Sequence, residues 1–248
     1  MTIITRIRQH KRKWMPFERE KHGISKKTAH RGMDILVRQL LKTLLGLLIY
    51  SFGVYLTIYA NIGLAPWDCL AVGISLHTPL NYGGSMAAIS LAAVILQLLL
   101  RERIGIATVL DAIITGNLTQ LFCDTSPYPE NHSLWLGIVF MLFGFLFIAL
   151  GMYVYMSAEC GCGPKDGLLV AIGKRLPKIP IGVAEVLLWA VVTLCGWLLG
   201  GTVGIGTAIS TFGAGAVMHL FYTVIHFEPR KLRHKSVIET VQTLNRFN

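Results

Sequence analysis

The sequence predicts an all-α polytopic membrane protein made of two tandem inverted repeats. Each repeat holds three transmembrane helices and one short re-entrant half-helix, which gives six spans in total. Three features of the 248 residues predict this fold: long charge-free runs, one set of motifs repeated at a fixed spacing, and a one-sided distribution of Lys and Arg.

Charged residues make up 15% of the chain, where a soluble domain carries about a quarter. The deficit is local. Residues 43–60 and 132–157 contain no Asp, Glu, Lys or Arg, and 85–100, 104–122, 181–200 and 203–226 are nearly as apolar. Runs of this length match a hydrocarbon core of roughly 30 Å at about 1.5 Å of rise per helical residue.

The repeat shows as identities at one offset. Gly46 and Gly144, Gly53 and Gly151, and Tyr55 and Tyr153 are equally spaced (144 − 46 = 98). The same offset aligns Gly63-Leu-Ala-Pro-Trp-Asp68-Cys-Leu70 with Gly161-Cys-Gly-Pro-Lys-Asp166-Gly-Leu168, and Gly84 with Gly182. After one inserted residue, Gly105-Ile-Ala-Thr108 aligns with Gly204-Ile-Gly-Thr207, and Gly116 with Gly215. Shared hydrophobicity does not bring Gly, Pro and Asp into register; duplication of a unit does.

Within each unit the first long helix ends at a Gly/Pro break, followed by a short helix over 66–76 and 164–176. Pro in the first helical turn and Asp just after it are helix-start signals. At about 1.5 Å per residue these elements are under roughly 20 Å long, too short to cross a bilayer upright. Two longer helices complete each unit.

Charge sets the topology. Twelve of the 23 Lys and Arg residues lie in positions 1–42, against three acids. Further basic clusters are Arg101 with Arg103, then Lys174, Arg175 and Lys178, and then Arg230, Lys231, Arg233 and Lys235; the loop 123–132 has no Lys or Arg. With re-entrant half-helices every basic cluster falls on the cytoplasmic side, whereas four full spans per unit would export Arg101 and Arg103. Three crossings per unit also invert one copy relative to the other. The organisation expected is a basic cytoplasmic arm (1–39), a first membrane repeat (40–122), an external loop (123–133), a second repeat (134–226) and a basic cytoplasmic tail (227–248). The arm fits anionic lipid headgroups better than nucleic acid, because basic flanks of polytopic proteins are retained on the cytoplasmic face.

Non-helical backbone at membrane depth must be satisfied by protein or by a water-filled cavity. The breaks are therefore expected to wall a substrate site formed by Gly63, Pro66, Trp67 and Asp68 in the first copy and Gly161, Gly163, Pro164, Lys165 and Asp166 in the second. A half-helix start can receive an anion, although Asp68 and Asp166 compete for its N–H groups. Lys165 stands where the first copy has Trp67, and is expected to pair with Asp68, Asp166, Glu159 or Glu185, or with a substrate carboxylate. Asp111, on one helical face with Thr108 and Thr115, is expected to act with Glu159 and Glu185 in a coupling or charge network. Five cysteines without zinc spacing read as small buried hydrophobes. No metal or other cofactor is expected, and no nucleophile motif or phosphate loop supports an enzyme.

At these motifs the chain resembles the YczE/YyaS/YitT group of bacterial membrane proteins, over roughly residues 40–226. Lys165 replaces the Arg of many relatives, which keeps the charge but not a bidentate fork, and Cys162 takes a position where a small residue is common. The resemblance implies a bacterial cytoplasmic membrane location and brings no substrate with it. From the residues, the leading function is a small-molecule or ion transporter. The alternative is a membrane accessory or regulatory protein that docks through its basic arm. Paired half-helices also occur in aquaporin-like channels, but charged Pro-Trp-Asp and Pro-Lys-Asp starts suit a binding site better than a water pore.

Overall fold

The computed structural model describes residues 26–102, 104–126, 131–176, 178–179 and 181–227. Most of the basic arm and the tail beyond 227 lie outside the described residues, and with them the expected lipid contacts of the arm.

Among the described residues eight helices follow in chain order: α1 (Lys26–Tyr59), α2 (Pro66–His77), α3 (Tyr82–Leu99), α4 (Ile106–Thr125), α5 (Leu134–Met156), α6 (Pro164–Arg175), α7 (Ile181–Leu198) and α8 (Ile205–Val224). Among the described residues there is no strand. Of these described helices, five are long and apolar enough to cross a membrane: Asp34–Tyr59 within α1, and all of α3, α4, α5 and α8. The apolar part of α7, Gly182–Leu198, is shorter. The apolar run expected over 181–200 stops at Leu198 because the chain turns left-handed at Gly200 (φ 86°).

Local chemistry explains where the helices begin and end. Pro66 and Pro164 occupy the first turns of α2 and α6, where a missing N–H leaves no bond unmade. Asn81 Oδ1 accepts the Gly84 N–H at 2.8 Å and caps α3. The helix α3 closes with Arg101 N–H donating to Leu98 O and Glu102 N–H to Gln97 O, both at 2.9 Å. The same two bonds close α7, from Gly200 to Trp197 O at 2.9 Å and from Gly201 to Gly196 O at 2.8 Å.

The helices α1 and α5 run antiparallel in close contact, with Gly46 against Gly151 and Gly53 against Gly144. A methyl group on Gly46 would stand 2.9 Å from Gly151 O, and one on Gly53 2.8 Å from Gly144 O. Close approach of this kind replaces the hydrophobic effect, which has no purchase between helices in lipid. Around this seam α4 packs on α1, and α8 on α5. The short helix α2 lies against α7, and the short helix α6 against α3.

One end of the bundle carries the charge. Glu102, after α3, accepts from Lys174 at 2.6 Å and from Arg175 Nη1 at 3.3 Å. The Lys174 hydrogen bond holds the Glu102 carboxyl below its usual range. At the other end Tyr55 and Ser126 share a hydrogen bond of 2.7 Å, and the Asn61 amide donates to Asn131 O at 3.0 Å. Of the cysteines, Cys69 and Cys160 are buried as expected, whereas Cys195 is exposed on the outer face of α7.

Candidate functional site

Both breaks fold alike. Asn61 and Glu159 are left-handed (φ 50° and 58°), and two residues later so are Gly63 and Gly161 (φ 121° and 130°). Each break is then tied to the first turn of another helix. Gly206 N–H of α8 donates to Ile62 O at 2.8 Å, and Ala107 N–H of α4 donates to Cys160 O at 2.9 Å. In the second break the Thr108 hydroxyl also donates to Cys162 O at 2.6 Å. The glycines make room for these crossings: a methyl on Gly63 would stand 2.6 Å from Gly204 N, and one on Gly161 2.9 Å from Gly105 Cα.

Protein therefore satisfies the outer part of each break, and the cavity reaches only the part next to the half-helix. An internal cavity of about 180 Å³ is lined by Ala65–Asp68, Gly163, Lys165 and Asp166, with Asp111 of α4 and Glu185 of α7. Of the expected site residues, Pro66, Trp67, Asp68, Gly163, Lys165, Asp166, Asp111 and Glu185 line it. Gly63, Gly161, Pro164 and Glu159 do not: the two glycines hold the backbone crossings, and the Pro164 carbonyl accepts from Gln97 Nε2 at 2.8 Å. Glu159 sits in the left-handed turn that ends α5.

The carboxylates are held one oxygen at a time. Asp68 Oδ1 accepts from the Tyr82 hydroxyl at 2.8 Å, Asp111 Oδ1 from the Thr115 hydroxyl, and Asp166 Oδ2 from the Tyr155 hydroxyl at 3.5 Å. Asp68 and Asp111 are 6% and 8% exposed, so they face the cavity and little else. A methyl on Gly163 would lie 2.8 Å from Asp111 Oδ2, 3.0 Å from Asp166 Oδ2 and 3.4 Å from the Tyr155 hydroxyl. Two acids from two helices thus converge over Gly163.

Lys165 does not make the expected pairing. Its ammonium reaches the Met86 thioether at 3.6 Å, and among the described residues no carboxylate lies within the 4.0 Å of an ion pair. Successive residues of a helix point about 100° apart. With Asp166 turned to Tyr155, Lys165 turns toward α3 instead. It remains in electrostatic range of Asp68, Asp111 and Asp166.

Sequence reasoning missed the aromatic part of the wall, Tyr50, Tyr155 and Trp189. For the tyrosines the sequence spacing held a signal. Tyr50 and Ile148, Val54 and Met152, and Thr57 and Tyr155 stand at the offset of 98 expected of a repeat (148 − 50 = 98), Asp111 and Ser210 at 99 (210 − 111 = 99), and all eight line the cavity.

Residues 37–223 match a family of unknown function, DUF6198. An uncharacterized protein of Haemophilus influenzae is 32% identical over 182 residues, covering 73% of this chain and 82% of its own length. In Bacillus subtilis, the uncharacterized protein YyaS is 26% identical (76% of this chain, 96% of its own), and the uncharacterized membrane protein YczE is 30% identical (70% and 80%). No solved structure matches.

Proposed function

Since the chain belongs to the DUF6198 family, with YyaS and YczE among its relatives, we propose that it is a transporter of a small molecule or ion and catalyses no reaction. The observation that carries the reading is the cavity. Three aspartates, a glutamate and a lysine, none of them in an ion pair among the described residues, line an apolar chamber bounded by the starts of two half-helices. Unpaired charge inside a membrane bundle is costly and marks substrate or ion pathways.

The same reading takes the architecture as two inverted repeats and six spans, with α7 as the sixth and α2 and α6 re-entrant. Its support is the exchange of partners: α8 ties the first break and α4 the second, by bonds at matched residues. The contact of Glu102 with Lys174 and Arg175 brings two basic clusters to one end, in keeping with cytoplasmic termini in a bacterial inner membrane.

One pair of helices departs from the symmetry. In the first copy α3 and α4 pack tightly, a methyl on Gly116 standing 2.8 Å from Gly83 O. In the second copy α7 and α8 barely touch, and a methyl on Gly215, matched to Gly116, would meet nothing within 4 Å. Alternating access requires two halves in unlike states around a fixed site. A closed α3–α4 seam beside an open α7–α8 gap fits that requirement.

The test is solute-driven current or tracer uptake in proteoliposomes, with amines, organic acids, amino acids, sulfur anions and metal ions. Flux lost in Asp111→Asn and Lys165→Ala is the expected result. If a folded, monodisperse protein moves none of them, the transport reading falls and a docking role for the basic arm replaces it.

A further inference from the structure

The chemistry of the cavity also selects its occupant. Taking the cavity as a substrate site, and so resting on the transport reading, we infer that the occupant is an organic cation, an ammonium group on an apolar or aromatic body.

An anion is opposed at both half-helix starts. Pro66 and Pro164 remove an N–H from the first turns, and Asp68 and Asp166 add a carboxylate there. A helix start so occupied has little positive potential left to offer. Four carboxylates against one ammonium leave the lining acidic.

A cation has a seat ready. Asp111 Oδ2 and Asp166 Oδ2 converge over Gly163, and neither accepts from Lys165. Two carboxylates brought to the same point in an apolar surround favour a proton or a cation beside them. A bare metal ion fits poorly: among the described residues no three His, Cys, Asp or Glu side chains come together to hold one. The rest of the wall is apolar and aromatic. Tyr50 and Tyr155 meet edge to face at 6.4 Å between ring centroids, and Trp67 and Trp189 line the same space. Aromatic faces attract desolvated ammonium groups. Lys165 makes no ion pair with these acids among the described residues, its ammonium lying 3.6 Å from the Met86 thioether, so it leaves both oxygens open to a cation.

The test is binding to the full chain in nanodiscs, by calorimetry and thermal shift, with three probes of one shape: 2-phenylethylammonium, phenylacetate and 2-phenylethanol. The expected result is saturable binding of the ammonium probe, about tenfold or more tighter than either of the others. Asp111→Asn and Asp166→Asn weaken it by a similar factor. The three-probe comparison in the unmodified protein needs no variant, so misfolding of a variant leaves it decisive. Preferred binding of phenylacetate, or no binding of any probe to folded protein, overturns the cation assignment. Liposome flux separates this from the proposed function. Cation binding without flux leaves the assignment and removes transport, while phenylacetate flux does the reverse.

Discussion

Asp111 and Asp166 reach Gly163 from different helices, and a methyl group on Gly163 would stand 2.8 Å from the first carboxylate and 3.0 Å from the second. Gly163 has φ −59° and ψ 152°, a conformation open to alanine. Gly163→Ala is therefore expected to fold, at a cost of about 1 kcal/mol, because both carboxylates border open space and can swing. Ligand binding and flux are expected to fall about tenfold or more, since the methyl fills the point where the acids meet. Thermal melts beside uptake rates check this; unchanged uptake would remove the seat.

Gly116 and Gly215 are matched residues in unlike surroundings. Gly116→Leu drives a side chain into Gly83 O and Met86, and is expected to destabilise by about 3 kcal/mol. A methyl on Gly215 would meet nothing within 4 Å, so Gly215→Leu is expected to destabilise less than Gly116→Leu. If α7 and α8 must close during transport, that same substitution loses flux. Full flux in a stable Gly215→Leu protein would show that the gap never closes.

Gly105 and Gly204 stand where α4 and α8 cross the breaks. A methyl on Gly105 would overlap the Cys160 carbonyl, and one on Gly204 would stand 2.5 Å from Ile62 O. Alanine at either position is expected to cost about 3 kcal/mol, as overpacking against backbone that has no room to shift. Gly182→Ala is the matched control, with open space around it. Size-exclusion profiles and melts of the three variants check the ranking.

Acid should loosen the charged end of the bundle. The Glu102 carboxyl lies below its usual range because Lys174, and then Arg175, stabilise its charged form. A depressed carboxyl contributes stability above the ordinary glutamate value and loses it as pH falls through the folded one. Glu102→Gln should remove this acid-side dependence. At neutral pH it should lower the melting temperature by about 2 °C or less, since Lys174 and Arg175 are 61% and 42% exposed. Melts across the acid range, with and without the substitution, test it.

Much of the fold could be read from the sequence because its signals are local. Pro66 and Pro164 mark the half-helix starts, and their observed ends fall within one residue of the expected ones. The wall of the cavity was harder to see. Tyr50, Thr57 and Tyr155 sit inside apolar helices, where periodicity treats them as core; the repeat offset separates them from it. Glu159 drew attention by its charge beside a break, but the turn that ends α5 keeps it off the cavity lining. The direction of Lys165 depends on Tyr155 engaging Asp166, a contact between helix ends that no local pattern encodes.

The exchanged backbone bonds have a consequence for how the protein is made. Ala107 N–H needs Cys160 O, and Ile62 O needs Gly206 N–H, so the first half of the chain leaves the ribosome before either of its closing partners exists. Until α5 and the second break follow, the first four helices must wait in the bilayer with a backbone donor unmet. The insertion machinery, or water held at the start of α4, has to shelter that site during synthesis. A stalled or truncated chain would be left as an open, degradable intermediate.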